Sequence, residues 1–402
     1  MDEMERLMHI FIECLVLYNC MGRNIIHFYK ADPRGVFTME IGTVKRPNRY
    51  KWLKRIGSAA AIPLAFLAAF LIYITVMDYK PAAKVELLSV GPKSADPLDA
   101  NTSFTITTYN IGYAGNDQGQ DFFMDGGSMS RSSSQGQTDR NLSIMADFLK
   151  TTGSDIYLLQ EVDKNSSRSY GIDEVDYLSQ FLPHYEHVFA ANYRVPWVPV
   201  PVFKPMGKVH SGLMTSSKLS VGSNHTRYDL PGKESWPVQQ MELDRAFIET
   251  RIPVSNGKEL IIVNLHLSAF DKGGAIRKKQ LNFLSSYIEQ EMKKENYIVI
   301  GGDWNHSLPE TDPAAFPSEQ EWPEWLQPFP EAFTPEGFNW VVDPSIPTVR
   351  TLDRPYKEGT NFLAVIDGFL VSPNIDVAVV AGHDQKFTVS DHNPVTATMR
   401  LK

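Results

Sequence analysis

The sequence has very few cysteines, and their positions exclude disulfide bonds from most of the chain. Cys14 and Cys20 are the only two among 402 residues, so no intramolecular disulfide can form after Cys20. This fits a reducing compartment, and it equally fits an exported bacterial domain that folds without disulfides. Stability must then come from a hydrophobic core, for which 43% hydrophobic and 11% aromatic residues are enough.

The chain also lacks internal repeats, and it shows no second linker after residue 101. Residues 80–101 are rich in Pro, Ala and Asp, which is typical of a tether that separates a domain from a membrane or from another domain. We therefore predict a linker at 80–101 and one domain of about 300 residues at 102–402.

Charge is absent from Ser58–Met77, a run of 20 residues that is long enough to cross a bilayer as a helix. Six Lys or Arg residues lie between positions 45 and 55. The positive-inside rule then predicts a cytoplasmic segment at 1–56, a transmembrane helix at 57–79 and a catalytic domain outside the cell membrane. The alternative is a cleaved signal peptide, but the run is long for one and no clear cleavage site comes after it. The role of residues 1–44 stays open, because Met39 could be the true start.

Negative charge dominates the part of the chain after this run. Residues 1–80 hold 11 Lys or Arg and 7 Asp or Glu, which gives them a net charge of +4. Because the whole chain has a net charge of −8, residues 81–402 must have a net charge of −12. An acidic domain is a poor non-specific binder of polyanions. It does not exclude an enzyme that meets nucleic acid through a few local cations and a metal ion.

Apolar periodicity predicts an alternation of strands and helices, which favours an α/β fold. Neighbouring strands at 245–254 and 258–268 indicate a hairpin, so we expect a mixed two-sheet α/β sandwich. Long loops are predicted at 115–138 and 308–335. The other predicted strands are 103–111, 155–161, 213–219, 296–303, 365–372, 376–382 and 395–401, and the predicted helices are 140–152, capped by Asp139, then 175–182 and 275–294.

Polar side chains recur at or near the ends of six predicted strands. The stretch GGDWNH at 301–306, directly after the apolar run 297–300, is the clearest case, because two glycines there supply no packing and suggest close approach of the backbone. Each such residue alone is ordinary turn chemistry. Together they indicate a site at one edge of the sheets. The strand-end residues are Asn110, Glu161, His266, Asp303, Asn305, Asp367, Asp391 and His392.

These residues lie in the motifs TYNIG, LLQEVD, VNLHLSA, GGDWNH, VIDGF and SDHNPV. The ordered set resembles the endonuclease/exonuclease/phosphatase superfamily, the deoxyribonuclease-I-like fold, over about residues 102–402. The resemblance implies a four-layered α/β sandwich with two mixed, largely antiparallel sheets. It also implies metal-assisted hydrolysis of phosphate esters.

The same resemblance implies a role for each residue. Glu161, with Asp391 and Asn110, would hold or orient a divalent metal, Mg²⁺ first, with Mn²⁺ or Ca²⁺ as alternatives. Asp303 would orient the attacking water or act as its base, and Asn305 would hold a phosphate oxygen. His392 would be a general acid or base oriented by Asp367, and His266 would be a second imidazole.

Three functions are then open to this chain. The first is a membrane-anchored, outward-facing metal-dependent phosphodiesterase acting on nucleic acid, which would make it a nuclease. The second acts on lipid head groups, as sphingomyelinases and phosphoinositide phosphatases do. The third is an inactive relative used as a binding module. Arg168 is either a phosphate ligand or a surface arginine, and Trp304 is expected to pack in the core.

Overall fold

The computed structural model describes residues 28–31, 37–40, 49–93, 96–221, 225–269 and 271–402. The chain forms two compact units, residues 1–68 and 69–402. The first unit contains strand β1 (Phe28–Ala31), which pairs with β2 (Phe37–Glu40) in an antiparallel hairpin. The remainder of the predicted segment 1–44 lies outside the described residues.

Helix α1 (Arg49–Val76) covers most of the predicted transmembrane segment 57–79 and contains Pro63. Within the described part of the chain, however, no helix combines the length and the apolar character that are needed to cross a membrane. The transmembrane helix is therefore not shown, and it stays a prediction from the sequence.

The second unit contains two large sheets. The strands are β3 (Lys84–Leu87), β4 (Ser103–Asn110), β5 (Ile156–Asp163), β6 (Glu186–Val198), β7 (Gly207–Ser217), β8 (His225–Asp229), β9 (Ala246–Pro253), β10 (Glu259–His266), β11 (Tyr297–Asp303), β12 (His306–Ser307), β13 (Gln327–Pro328), β14 (Asn339–Val341), β15 (Val349–Arg350), β16 (Leu363–Ala364), β17 (Asp367–Val371), β18 (Ile375–Gly382) and β19 (Val395–Leu401). The helices are α2 (Gln135–Thr152), α3 (Glu174–Phe181) and α4 (Ala275–Met292). Short 3-10 helices lie at Gly112–Ala114, Phe123–Asp125, Val238–Met241, Lys272–Gly274, Pro313–Ala315 and Glu331–Phe333.

The six-stranded sheet has the order β18-β19-β4-β5-β7-β6, and the seven-stranded sheet has the order β14-β17-β11-β10-β9-β8-β3. Each large sheet contains one parallel pair, β4 with β5 and β10 with β11, while the other pairs are antiparallel. The crossovers that parallel strands require are supplied by α2 and α4. The prediction of mixed, largely antiparallel sheets is thus confirmed.

Three hydrophobic layers separate four layers of secondary structure. A central core joins the inner faces of the two sheets, with Phe104 and Leu158 from one sheet against Ile262 and Phe369 from the other. A second core packs α2 and α3 on the outer face of the six-stranded sheet, and a third packs α4 on the outer face of the seven-stranded sheet. Strand β3 belongs to the predicted linker 80–101, and it pairs with β8 in the seven-stranded sheet, so this part of the segment is built into the domain.

Two local predictions need correction. Helix α2 begins at Gln135, and its N-cap is Ser134, whose hydroxyl accepts a hydrogen bond from the Gln137 backbone N–H, instead of Asp139. Strand β6 was not predicted, since Asn192, Arg194 and Pro196 interrupt its apolar residues. It is an edge strand, where a proline is tolerated because one side of the ladder is unpaired.

Candidate active site

The two parallel pairs bring the predicted residues to one place. Asn110 ends β4 beside Gln160 of β5, and His266 ends β10 beside Asp303, which ends β11. Carboxyl ends of adjacent parallel strands lie at the same edge of a sheet. Because the two sheets pack face to face, both edges meet, and the side chains of Asn110 and Asp303 contact each other from opposite sheets.

A buried polar contact fixes the distance between the sheets below this edge. The Gln160 amide donates to Asn264 Oδ1 at 2.8 Å, and the Asn264 amide donates to the backbone oxygens of Leu159 and Met214. Gln160 and Asn264 are both fully buried. Paired polar groups in a core specify one arrangement, since any shift would leave them unsatisfied.

Asp303 is the centre of the cluster. Its Oδ2 accepts a hydrogen bond from Asn110 Nδ2 at 3.0 Å, and it lies 3.4 Å from His266 Nε2 and 3.8 Å from His392 Nε2. Burial, and then the negative charge of Asp367, raise the pKa of Asp303 to about 7. A carboxylate with a pKa near neutrality is suited to accept a proton.

Asp367 lies directly opposite Asp303 in the antiparallel pair β11–β17. His392 Nδ1 and Asp367 Oδ2 are 2.8 Å apart, and both side chains are buried. Burial by itself would lower the pKa of His392, but Asp367, Asp303 and Asp391 raise it to about 10. His392 is therefore a cation at neutral pH, with Nδ1 held by Asp367 and Nε2 facing the cluster.

His266 behaves differently although it contacts the same carboxylate. Burial, with Arg245 and His392 nearby, lowers its pKa well below the usual value, so its imidazole is neutral. Its Nδ1 is buried and has no hydrogen-bond partner within the described residues. Two histidines on one aspartate thus hold opposite protonation states.

Glu161 stands at a bulge in β5, where the register with β7 shifts between Leu159 and Val162. Its φ of +54° lies in the left-handed region, which is uncommon for a residue with a Cβ and typical of functional sites. The side chain is 26% exposed, and Oε1 accepts from Asn110 Nδ2 at 3.4 Å. Burial raises the pKa of Glu161, and Arg168 opposes that effect.

Asp391 approaches from the turn that precedes β19. A Cβ added to Gly112 would lie 2.7 Å from Asp391 Oδ1, so the glycine leaves room for this carboxylate. The Ser390 hydroxyl donates to the backbone oxygen of Asn110 and so ties the turn to the end of β4. Glu161 and Asp391 thus flank Asn110, and the charge of Asp391 contributes to the raised pKa of Glu161.

Asn110 presents its amide nitrogen to the acids. Its Oδ1 accepts from the Gly112 backbone N–H at 3.0 Å, which leaves Nδ2 facing Glu161, Asp303 and His392. This orientation fits the orienting role among those predicted for Asn110, since the oxygen that a metal would need is already bonded.

The structure shows why glycine is required in the GGDWNH stretch. Gly302 has φ +143°, and a Cβ there would lie 2.0 Å from the backbone oxygen of Leu265 in β10. The expected close approach is therefore an approach of strand to strand. Trp304 is fully buried in the outer core and donates to the Gly368 carbonyl, which confirms its predicted packing role.

Asn305 adopts φ +50°, a second left-handed residue in the site. Its backbone N–H donates to Asp303 Oδ1, and its side-chain nitrogen donates to the Leu267 carbonyl. The backbone carbonyl accepts from the buried Arg277 guanidinium at 2.9 Å. Asn305 is thus fixed beside Asp303 by three separate hydrogen bonds.

Arg168 is buried, so the surface alternative is wrong. Its guanidinium binds Asp163 through Nε and Nη2, lies 3.8 Å from Glu161 Oε2 and stacks 3.9 Å from the centroid of the Tyr113 ring. Aromatic stacking and a bidentate carboxylate hold this cation rigidly against the Glu161 carboxylate.

Sequence reasoning missed Arg245, which immediately precedes β9. Its Nη1 is buried and has no hydrogen-bond partner in the described chain. Burial lowers its pKa, while the charges of Asp303 and Glu161 act in the opposite direction, so the guanidinium lies within electrostatic reach of the cluster. The predicted hairpin 245–254 with 258–268 already places this position beside His266, and that was the available signal.

The atoms of Asp303, Asp367 and His392 that could bind a metal all lie within 4.8 Å of one another. His392 already neutralises charge between these two acids. Among the described residues, Arg168 is the one cation in ion-pair contact with Glu161, and Asp391 has no ion pair. Hard oxygen donors of this kind are the ligands that Mg²⁺ prefers. Glu161 and Asp391 supply carboxylate oxygens of this kind, so their chemistry fits a divalent cation, and their assignment as its ligands stays a prediction.

Comparisons with known proteins identify the family of this chain. Residues 107–392 match the family model described as the Endonuclease/Exonuclease/phosphatase family. No curated protein matches the chain significantly in sequence. A solved endonuclease/exonuclease/phosphatase from Beutenbergia cavernae DSM 12333 is 18% identical over 74% of this chain and 72% of its own, with a TM-score of 0.51. Another, from Bacteroides vulgatus, is 18% identical over 75% of this chain and 100% of its own, with a TM-score of 0.48. At such low identity the likeness to the first structure shows the fold alone.

Proposed function

The chain belongs to the endonuclease/exonuclease/phosphatase family, and from that premise we propose that it is a divalent-metal-dependent phosphoesterase that hydrolyses phosphodiester bonds. The observation that carries the proposal is the cluster around Asp303. A base with a pKa near 7 and an imidazolium with a pKa near 10 lie 3.8 Å apart, beside the carboxylates of Glu161 and Asp391. Two titratable groups whose pKa values are driven apart by their surroundings are the signature of an acid and a base.

A divalent ion, Mg²⁺ in the first instance, would be held by Glu161 and Asp391, with Asn110 orienting the first of these. When bound, it would neutralise charge on the phosphate and stabilise the leaving oxygen. The positive charge of Arg168 beside Glu161 limits the net negative charge of the ligand set, so we expect binding in the range of ordinary cellular Mg²⁺ sites and no tighter.

The proton transfers follow from the protonation states. Asp303 takes a proton from the attacking water as the oxygen bonds to phosphorus. His392 gives its Nε2 proton to the leaving oxygen as the old P–O bond breaks. Asp367 keeps His392 charged and fixes its ring, while Arg245 supplies an open guanidinium for the non-bridging oxygens.

The test uses the full chain and bis(p-nitrophenyl) phosphate. We expect turnover with Mg²⁺ and none after EDTA treatment, restored when Mg²⁺ is added again. Glu161→Gln raises the Mg²⁺ concentration for half-maximal activity at least about tenfold, since a charged oxygen ligand is lost. Glu289→Gln, an exposed acid on α4, leaves it unchanged. Turnover that survives EDTA, or an unchanged Mg²⁺ requirement in Glu161→Gln, refutes the proposal.

The class of substrate that is hydrolysed distinguishes the two proposed enzymes, the nuclease and the lipid phosphoesterase. The net charge of −12 over residues 81–402 disfavours a long polyanion and so favours a lipid head group or a small phosphodiester. Plasmid DNA, RNA, sphingomyelin and phosphoinositides, each assayed with the same preparation, separate these classes. Binding without hydrolysis across the whole panel would instead indicate the inactive binding module.

From the sequence alone we also propose that the uncharged run Ser58–Met77 anchors the chain in the cell membrane, with residues 1–56 inside and the catalytic domain outside. Protease added to intact cells should then release the domain, whereas protection of the domain until the cells are lysed would reverse the orientation.

A further inference from the structure

The β6–β7 hairpin carries the most exposed aromatic side chain of the described chain, and we propose that its tip, residues 199–206, binds the surface of an anionic lipid bilayer. Phe203 is 99% exposed and its neighbour Val202 is 64% exposed, while Trp197, at the end of β6, is 39% exposed. Water-exposed clusters of large apolar groups on an ordered hairpin mark contact sites.

The tip is held in place, so the exposure of Phe203 does not reflect a missing fold. The Ser130 hydroxyl donates to the backbone oxygen of Lys204 at 2.6 Å, and Arg131 Nε donates to that of Pro205 at 2.7 Å. The base of the hairpin has its own small core, formed by Tyr193, Val195, Val198, Met206 and Val209. Phe203 is kept out of this core although it lies within a few residues of it.

The charge pattern identifies the partner. Residues 187–228 contain no Asp or Glu, although the whole chain contains 47. The exposed cations of the hairpin are Arg194, Lys204 and Lys208. Apolar and aromatic groups flanked by exposed cations suit a membrane interface, where the apolar groups enter the acyl boundary and the cations meet anionic head groups.

The position of the hairpin relates this surface to the active site. Val162, next to Glu161, pairs with Gly212 of β7, and Gly207 at the start of β7 pairs with Val198. Gly212 and Gly207 are five residue steps apart along β7, so the tip begins ~17 Å beyond Glu161. Because β5 runs toward the same edge, the tip projects past the active site on its own side.

A second exposed apolar segment adjoins the hairpin. The Arg194 guanidinium lies 5.3 Å from the centroid of the Tyr79 ring, and both Val76, the last residue of α1, and Met77 after it are exposed. Trp236, itself 59% exposed, donates from its indole nitrogen to Thr75 Oγ1 at 3.0 Å. Exposed apolar groups thus continue from the hairpin to this end of α1.

The test places a reporter on the tip. In the full chain with Cys14→Ser and Cys20→Ser, Val202→Cys carries an environment-sensitive fluorophore, and vesicles contain a quencher attached to lipid. With phosphatidylcholine and about 30% phosphatidylserine, an anionic surface, we expect quenching at position 202. The control reporter, Val379→Cys, lies on β18 at the opposite edge of the six-stranded sheet and is also exposed, and it should not be quenched.

Variants then separate the two contributions in the reporter chain. Phe203→Ser should lower the ratio of lipid-bound to free hairpin at least about tenfold, because the main apolar group is removed. Lys204→Gln and Lys208→Gln, which each remove one positive charge, should each lower the ratio of lipid-bound to free hairpin about fivefold on the anionic vesicles. Lys150→Gln, an exposed cation on α2, should leave it unchanged.

Three results would overturn the proposal. Quenching at 202 no stronger than at 379 would show that the tip avoids lipid. Equal quenching on pure phosphatidylcholine would remove the role of charge. Energy transfer between labelled copies without vesicles would show instead that the tip binds a second copy of the chain. None of these readouts requires turnover, so they leave the proposed phosphoesterase activity to its own test.

Discussion

The buried pair Asp367–His392 gives the most direct test of the acid–base assignment. The two groups are 2.8 Å apart, and His392 is kept cationic against the effect of its own burial chiefly by Asp367. Asp367→Asn keeps the shape of the side chain and an oxygen that can accept from Nδ1. It removes the negative charge, so the pKa of His392 must fall from its value of about 10.

The size of the effect depends on the role. A positioned general acid contributes about 10²–10⁴-fold to a rate, which corresponds to roughly 3–5 kcal/mol of transition-state stabilisation. His392→Ala should lose that factor in kcat. Asp367→Asn should lose a comparable factor, because a neutral imidazole cannot donate the same proton. The falling limb of its pH–rate profile should also move to lower pH, since the acid form now disappears earlier.

The double variant shows whether Asp367 and His392 act as one unit or contribute to the rate separately. If Asp367 acts only through His392, then Asp367→Asn with His392→Ala loses no more than His392→Ala alone. Single-turnover rates on bis(p-nitrophenyl) phosphate with saturating Mg²⁺ measure the three losses. Asp376→Asn, an exposed acid on β18, is the matched control and should retain full activity.

Independent losses that multiply in the double variant would refute the reasoning, because Asp367 would then act on the substrate or the metal directly. An unchanged pH profile in Asp367→Asn would refute it as well. Thermal unfolding of each variant identifies a loss of activity that comes from unfolding of the chain. If Asp367→Asn unfolds below the assay temperature, it is replaced by Asp367→Glu, which keeps the negative charge. The falling limb of the pH–rate profile should then stay at its original pH.

Two further predictions concern stability. Burial lowers the pKa of His225 to about 4, so the unfolded chain takes up a proton first as the pH falls, and the free energy of unfolding should drop by about 2 kcal/mol between pH 7 and pH 5 from this group alone. Chemical denaturation should show that His225→Gln removes this drop and that His184→Gln, at an exposed site, keeps it; equal drops in all three chains would contradict the assignment. Gly302→Ala should cost at least about 2 kcal/mol, because its φ is left-handed and the added Cβ meets Leu265 O. The same change at Gly136, an open helical position, should stabilise by up to about 1 kcal/mol, and a loss of similar size at both sites would rule out the steric argument.

Most of the sheet framework could be predicted from apolar periodicity. The run predicted at 296–303 is the strand Tyr297–Asp303, and the helix predicted at 275–294 is Ala275–Met292. Buried central strands have continuous apolar sequences, which are easy to recognise. The edge strand β6 has no such run, and the start of α2 at Gln135 is hidden because Gly and Thr are weak helix formers.

The proximity of Asn110, His266, Asp303, Asp367 and His392 could be predicted from the order of their motifs, but their conformations could not. The left-handed φ of Glu161 depends on a bulge that exists only when β5 pairs with β7. The orientation of the Asn110 amide depends on the Gly112 N–H, and the charge of His392 depends on Asp367 and Asp303 from other segments as well as on its neighbour Asp391. Arg245 was missed because it belongs to none of the motifs, although the predicted hairpin places it near His266. The φ of Glu161, the orientation of the Asn110 amide, the charge of His392 and the surroundings of Arg245 all arise from contacts that only the folded chain creates.

The site is divided between the two sheets, and this division explains why the core beneath it matters. Glu161 comes from the six-stranded sheet, as does the turn that holds Asp391 and His392, whereas Asp303 and Asp367 come from the seven-stranded sheet. The hydrogen bonds from Asn110 to Asp303 and from His392 to Asp367 therefore cross from one sheet to the other. Each crossing bond tolerates only a few tenths of an ångström before it weakens. The packed core between the sheets consequently holds Asn110 against Asp303 and His392 against Asp367, and neither sheet alone contains the whole cluster.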